Sequence, residues 1–316
     1  MTEPIQYSAK ASPQTAALLI GGAGLAVAGG FLFSISLPAA AVVTAIAVVC
    51  LWTGFVQCLN HCAGHFPGPL KCAVRHLYSS TMEGYSLVWA AVCYPFALLP
   101  SKLPSPNPQQ TPVLLVHGYL HNGSGWLYYK RRLKAIGFDS VHALTLGKNP
   151  FRSIEDYAKV IQTKITQIKE ATGRSDIILV GHSMGGLASS YYAANQANED
   201  QITVKQVVTI GSPLKGSPLA RLGPGRNAAQ MRANSEFLTN LLDAIGKAHQ
   251  AVEQEERRGT TFHHIGSKTD VVVPGNNALH GNLDDPNHNV LFKDLGHLGL
   301  LFSPRVADVV CNWVKS

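Results

Sequence analysis

The chain has 316 residues, 26 Lys/Arg against 19 Asp/Glu and a formal net charge of +7, a length that fits one large domain or two small ones. Its charge is unevenly spread: the sixty residues between Lys10 and Lys71 hold no Asp, Glu, Lys or Arg, whereas residues 111–316 hold 22 basic and 17 acidic side chains. An apolar leader is therefore joined to an ordinary water-compatible domain, and the modest basic excess, without stacking aromatics or a basic groove, argues against a nucleic-acid partner.

Residues 1–14 form a short tail. The apolar runs 15–33 and 38–59, split by SISLP, each approach or exceed the roughly 20 residues that cross a hydrocarbon core as a helix. Residues 15–59 are thus expected to be a transmembrane helical hairpin, in which Gly21, Gly22, Gly24, Gly29 and Gly30 permit close helix approach. Lys10, an apolar run and PAAA (38–41) also imitate a cleavable signal peptide, but cleavage leaves the second run as an anchor. Either way the protein stays at a membrane.

Residues 60–110 read as an apolar connecting segment that ends in a Pro-rich linker. Within it the run 85–100 is short for a span and contains Pro95, which favours an interfacial or re-entrant segment, or packing on the following domain. Two spans put both termini on one side, and Lys10, Lys71 and Arg75 favour the cytoplasm; a third span reverses the domain, and so few charges leave both topologies open. Cys50, Cys58, Cys62, Cys72 and Cys93 all precede the soluble part, where Cys311 stands alone, so that part has no internal disulfide. His61, Cys62, His65 and Cys72 match no strong metal spacing, and no metal or other cofactor is expected.

LPSPNPQQTP (103–112), with four prolines and no apolar periodicity, is read as the linker. From there strands and helices alternate. PVLLVHG (112–118) and VHALTL (141–146) are strand-like, and SIED (153–156) opens a helix whose Ile154, Tyr157, Ile161, Ile165 and Ile168 share a face. DIILVG (176–181) is a third strand and 187–197 the helix after it. VKQVVTIG (204–211), TFHHIGS (261–267) and HNVLF (288–292) continue the strand series before a last helix at 303–315. Nearly continuous apolar strands between amphipathic helices predict an α/β domain over 111–316, with a mostly parallel sheet covered on both faces. Active sites in such sheets collect at the strand carboxyl ends.

LVGHSMGG (179–186) places Ser183 between a strand and a helix. A nucleophile there needs a sharp turn; Gly181 and Gly185 remove the Cβ clashes, and the helix start aims N–H groups and the positive dipole end at the reacting centre. The Met184 N–H is then placed to hold an oxyanion.

At these motifs the chain resembles the α/β-hydrolase superfamily, and within it the serine lipases and esterases, over roughly 112–314. VLLVHGYLHN (113–122) is similar to the oxyanion loop, with Tyr119 as second donor; LVGHSMGG is similar to the nucleophile elbow, and VVTIGSPLKGSPLA (207–220) to the segment that follows it. The resemblance implies a triad in the order Ser, acid, His. Asp270, three residues past a strand, is the expected acid, ahead of Asp284, Asp285 and Asp294, which suit turns or caps. His297 is the expected base, with Gly296 allowing its loop to reach Ser183. His280 and His288 read as surface or structural, His117 and His182 as packing groups, and His121, Asn122 and Trp126 as shapers of the oxyanion loop.

The implied activity is a membrane-anchored serine hydrolase that cleaves lipid or small carboxylic esters through an acyl-enzyme. An acyltransferase or lipid-anchor deacylase on the same fold, and a non-catalytic binding protein, remain open alternatives. The oligomeric state is not written in the sequence. Residues 217–259 are where a lid or acyl pocket belongs, and 234–248 is amphipathic, which suits a core helix slightly better than a mobile lid. KRRLK (130–134) suits a solvated helix face, with anionic headgroups as the other reading.

Overall fold

A computed structural model describes residues 68–94, 108–147, 149–195, 201–253 and 259–316, together with Val48, Leu51, Trp52, Phe55 and Ala197. The expected membrane hairpin, 15–59, lies outside the described residues apart from four of these positions. Among the described residues no helix is long and apolar enough to cross a membrane. The chain forms two compact units, Met1–Tyr85 and Ser86–Ser316.

Helix α1 (Gly68–Cys93) was not foreseen within the connecting segment. Its limits follow from proline. Pro69 sits in the first turn, where its missing N–H costs nothing, and the helix stops just short of Pro95, whose ring disfavours helical backbone before it. The described part of the run 85–100 thus continues a helix, and within the second unit the Tyr94 carbonyl accepts from Asn122 Nδ2 at 3.0 Å.

The second unit is built on a six-stranded, all-parallel sheet: β1 (Val113–Val116), β2 (Val141–Leu144), β3 (Asp176–His182), β4 (Thr203–Ile210), β5 (Thr261–Ser267) and β6 (Asn289–Phe292). The spatial order is β2-β1-β3-β4-β5-β6. Parallel neighbours need crossovers, which α2 (Leu127–Ala135), α3 (Ile154–Thr172), α4 (Met184–Asn195), α5 (Arg226–Gln230) and α6 (Glu236–Glu253) supply as far as β5, while the β5–β6 crossover holds only a 3₁₀ turn, Gly275–Ala278. The short α7 (His297–Phe302) and α8 (Pro304–Lys315) close the chain. Ser153 caps α3 by accepting the Asp156 N–H, and its isoleucine face is buried as the spacing predicts.

The described end of the Pro-rich stretch 103–112 is packed on the sheet domain. Pro108, Thr111 and Pro112 are buried, and Thr111 Oγ1 donates to Asp176 at 2.9 Å. Asp176 also takes both Arg174 nitrogens at 2.7 Å and Lys205 Nζ at 2.8 Å. Burial pushes its carboxyl up, but these three donors outweigh it and hold the group far below the usual carboxylate range. This cluster fastens the amino ends of β3 and β4. KRRLK forms the largely solvent-facing side of α2 that its charges suggest, apart from the buried Leu133, and Arg132 there pairs with Asp308 of α8.

Candidate active site

The strand order reverses at β1. The chain leaves β1 for β2 on one side and returns to β3 on the other, which makes the carboxyl ends of β1 and β3 the switch point where open parallel sheets place their sites. Both oxyanion candidates and Ser183 stand just after these two strands. The approach is close: a Cβ on Gly118 would lie 2.8 Å from the Cβ of Ser183.

Ser183 is the single residue between β3 and α4, and its φ is +54°, left-handed backbone that a side chain rarely adopts. The turn is fixed from both sides, because the Ser183 N–H donates to the Ile210 carbonyl at 2.9 Å and the Ser183 carbonyl accepts from Gly186 N–H at 3.0 Å. The glycines are required by contact. A Cβ on Gly181 would lie 2.4 Å from the Gly186 backbone, and one on Gly185 2.4 Å from the Val116 and His117 carbonyl oxygens. Met184 is the first residue of α4, so its N–H has no acceptor within the helix. Its sulfur takes a contact from Asn227 Nδ2 at 3.1 Å, a partner for which the sequence holds no signal.

After β1, the His121 N–H donates to the Gly118 carbonyl at 3.3 Å, closing a turn around Tyr119 and Leu120. Leu120 has φ +55°, where such turns usually carry glycine or asparagine. His117 holds this loop from beneath. Its Nδ1–H donates to the Gly118 carbonyl at 2.8 Å and its Nε2 accepts the Leu146 N–H at 2.9 Å. Burial lowers it to about 4, so it stays neutral and structural. Asn122 Oδ1 accepts from Ser124 N–H at 3.0 Å and caps the next turn, which ends at the fully buried Trp126.

At the far side of β3 the structure brings Asp270 and His297 together. The His297 Nδ1–H donates to Asp270 Oδ2 at 2.8 Å. Asp270 Oδ1 takes the N–H groups of Val272 and Val273 at 2.8 and 2.9 Å, so both carboxylate oxygens are oriented. With its proton on Nδ1, His297 presents a bare Nε2. Its ring lies 4.7 Å from that of His182, the residue before Ser183, and His182 Nε2–H donates to the His297 carbonyl at 3.1 Å. Burial, then the neighbouring His297, pushes His182 well below the ordinary histidine range. The packing reading of His182 therefore gains a task the sequence did not suggest: it anchors the loop that carries His297. Gly211, with φ +58°, lies beneath the His297 ring, where its left-handed backbone rather than lack of room favours glycine. Gly296 has φ −78°, backbone that any residue adopts, and His297 follows it as the first residue of α7.

The rival acids are engaged elsewhere. Asp294 pairs with Arg305 at 2.9 Å, while Asp284 and Asp285 sit in turns with Asn282 and Asn287. His280 and His288 stay half-buried beside β5, where His288 stacks on His263 at 5.3 Å. Helix α6 buries Leu238, Leu241 and Ile245, so the amphipathic stretch is a core helix and not the lid. Ser183 and His297 are 7% and 8% exposed, sheltered but not sealed.

A triacylglycerol lipase of Pseudarthrobacter phenanthrenivorans is 30% identical to the chain over 115 residues, 34% of this chain and 35% of that protein; the match thus spans about a third of the relative's length. The fold resembles that of mature lipase BlEst2 of Bacillus licheniformis (16% identity, 68% of this chain and 96% of that one, TM-score 0.48). It also resembles a monoacylglycerol lipase of Paleococcus ferrophilus (20% identity, 66% and 95%, TM-score 0.44). A family model described as the alpha/beta hydrolase fold matches residues 111–270, half of the chain, from the start of β1 through Asp270. The chain belongs to the α/β-hydrolase fold family.

Proposed function

We propose that the protein is a membrane-anchored serine hydrolase of carboxylic esters, with Ser183 as nucleophile, His297 as general base and Asp270 as its orienting acid. The observation that carries the reading is the Asp270–His297 hydrogen bond, made by a residue whose carbonyl is held by His182, the neighbour of Ser183 in the chain. A serine hydroxyl is a poor nucleophile until a base takes its proton. As Ser183 Oγ bonds to the ester carbonyl carbon, its proton passes to His297 Nε2, and Asp270 stabilises the imidazolium. The N–H groups of Tyr119 and Met184 hold the oxyanion, each worth about 3–4 kcal/mol in comparable sites. Collapse breaks the bond to the alcohol oxygen, which leaves with the His297 proton. Water then attacks the acyl-enzyme, gives a proton to His297 and releases the acid and Ser183. These steps balance with water alone as co-reactant.

The partial likeness to a triacylglycerol lipase supports an ester, and the apolar runs 15–33 and 38–59 support a lipid one, because they hold the enzyme where such esters reside. A fluorophosphonate probe is expected to label the detergent-solubilised protein at Ser183 and to leave Ser183→Ala unlabelled. Strong labelling of that variant, or none of the wild type, would overturn the assignment. Hydrolysis of p-nitrophenyl esters of graded acyl length then defines the substrate class.

A further inference from the structure

We infer that the catalytic unit docks, by the edge that surrounds Ser183, onto the surface of a bilayer rich in anionic lipid. The inference goes beyond the acyl-transfer reading and stands on the surface, not on the chemistry. Four loops leave the carboxyl ends of β1, β2, β4 and β5, and each carries a large apolar side chain at its tip. Leu120, Phe151, Leu219, Leu222 and Val271 are all exposed, Leu222 to 83% and Val271 to 71%. Such side chains normally pack inward, and a contiguous set of them marks an interaction surface.

The loops that carry these side chains are neighbours, because hydrogen bonds tie the loop after β4 to the other three. Tyr119 Oη donates to the Pro224 carbonyl at 2.9 Å, Arg226 N–H donates to the Phe151 carbonyl at 3.1 Å, and Ser217 Oγ donates to the Val272 carbonyl. A Cβ on Gly225 would lie 2.8 Å from Phe151. The apolar tips therefore belong to one braced platform.

Charge names the partner. Residues 117–126, 145–153 and 211–235, the loops after β1, β2 and β4, hold six Lys/Arg and no Asp or Glu, although residues 111–316 carry 17 acids. Arg152, Lys215, Arg221 and Arg226 are exposed, and among the described residues no salt bridge engages them. The fourth loop adds Lys268 and, up to Leu279, only one acid, the buried Asp270, so the exposed charge of this edge is basic and attracts anions. Leucines among the arginines gain nothing from a bare polyphosphate, whereas a bilayer offers headgroup phosphates and hydrocarbon at successive depths. Arg221 and Leu222 are adjacent and both exposed, as such a layered partner requires.

The test uses the full chain with Leu222→Trp, reconstituted into vesicles of phosphatidylcholine alone or mixed with phosphatidylglycerol, the acyl chains brominated. Bromine is expected to quench the added tryptophan in the mixed vesicles, salt to reverse this, and Arg221→Gln with Arg226→Gln to weaken docking about fivefold per charge removed. Equal quenching in neutral and anionic vesicles, or none in either, overturns the inference. Fluorophosphonate labelling of the same variants in detergent reports on Ser183 separately. Labelling without quenching sinks the docking surface and spares the acyl-transfer reading; quenching without labelling does the reverse.

Discussion

Asp270 shows how much of the site rests on the placement of a single carboxylate. One oxygen takes two backbone N–H groups and the other takes the His297 ring, so all three contacts require an acceptor. An amide supplies only one acceptor oxygen. In Asp270→Asn either the backbone donors or the imidazole N–H must face an NH₂ group, and the ring escapes by moving its proton to Nε2. That tautomer cannot take the Ser183 proton. The fluorophosphonate reaction and kcat are therefore expected to fall about 10⁴-fold, as for the equivalent change in serine proteases, with KM little altered. Labelling at the wild-type rate would remove Asp270 from the proposed triad. The residue was legible in the sequence by its place after a strand. Its lock on Val272 and Val273 was not, because main-chain donors carry no residue signature.

At the scale of elements, legibility followed contact chemistry. Gly181 and Gly185 could be read in advance because a strand, a sharp turn and a helix at fixed spacing leave no room for Cβ, and backbone lies 2.4 Å from where each would stand. Helix α1 was missed because its buried stripe, Val74, Tyr78, Ser86, Ala90 and Cys93, includes a serine, an alanine and a cysteine, while larger apolar residues such as Leu87 and Trp89 lie off it and stay exposed. The prolines at 69 and 95 were the available signal. Helix α6 had a clear stripe, yet a stripe does not say what covers it; here Phe237 stacks on Tyr191 of α4 at 5.8 Å and Leu241 is buried. Leu241→Ala is accordingly expected to cost about 2–5 kcal/mol of stability, read as a lower thermal midpoint, with an unchanged labelling rate per folded molecule. A mobile lid predicts the reverse, an altered rate at an unaltered midpoint.

For the whole molecule, alternation of strands and helices revealed a parallel sheet, while the strand order, and hence the switch point at the carboxyl ends of β1 and β3, depends on long-range pairing that no local pattern records. The same packing sets how the fold meets acid. His117 beneath the oxyanion loop and His142 on β2 are each lowered to about 4, first by burial; for His142, Lys164, Lys130 and Lys134 add to it. In the unfolded chain both return to about 6.5. Below that pH the unfolded state binds protons that the folded state refuses, so stability is full above about 6.5, falls as pH drops toward 4, and levels once the folded histidines also charge. Each such histidine contributes a slope of about 1.4 kcal/mol per pH unit inside that window. His142 Nε2 meets Ser140 Oγ at 2.8 Å on the edge strand, away from Ser183, so glutamine can replace its hydrogen bond without titrating. Urea midpoints of His142→Gln between pH 7 and 4 are expected to show an acid limb shallower than wild type by one proton's worth. An unchanged limb would mean that His142 charges in the folded protein as it does in the unfolded chain, and that its burial does not shape the acid response.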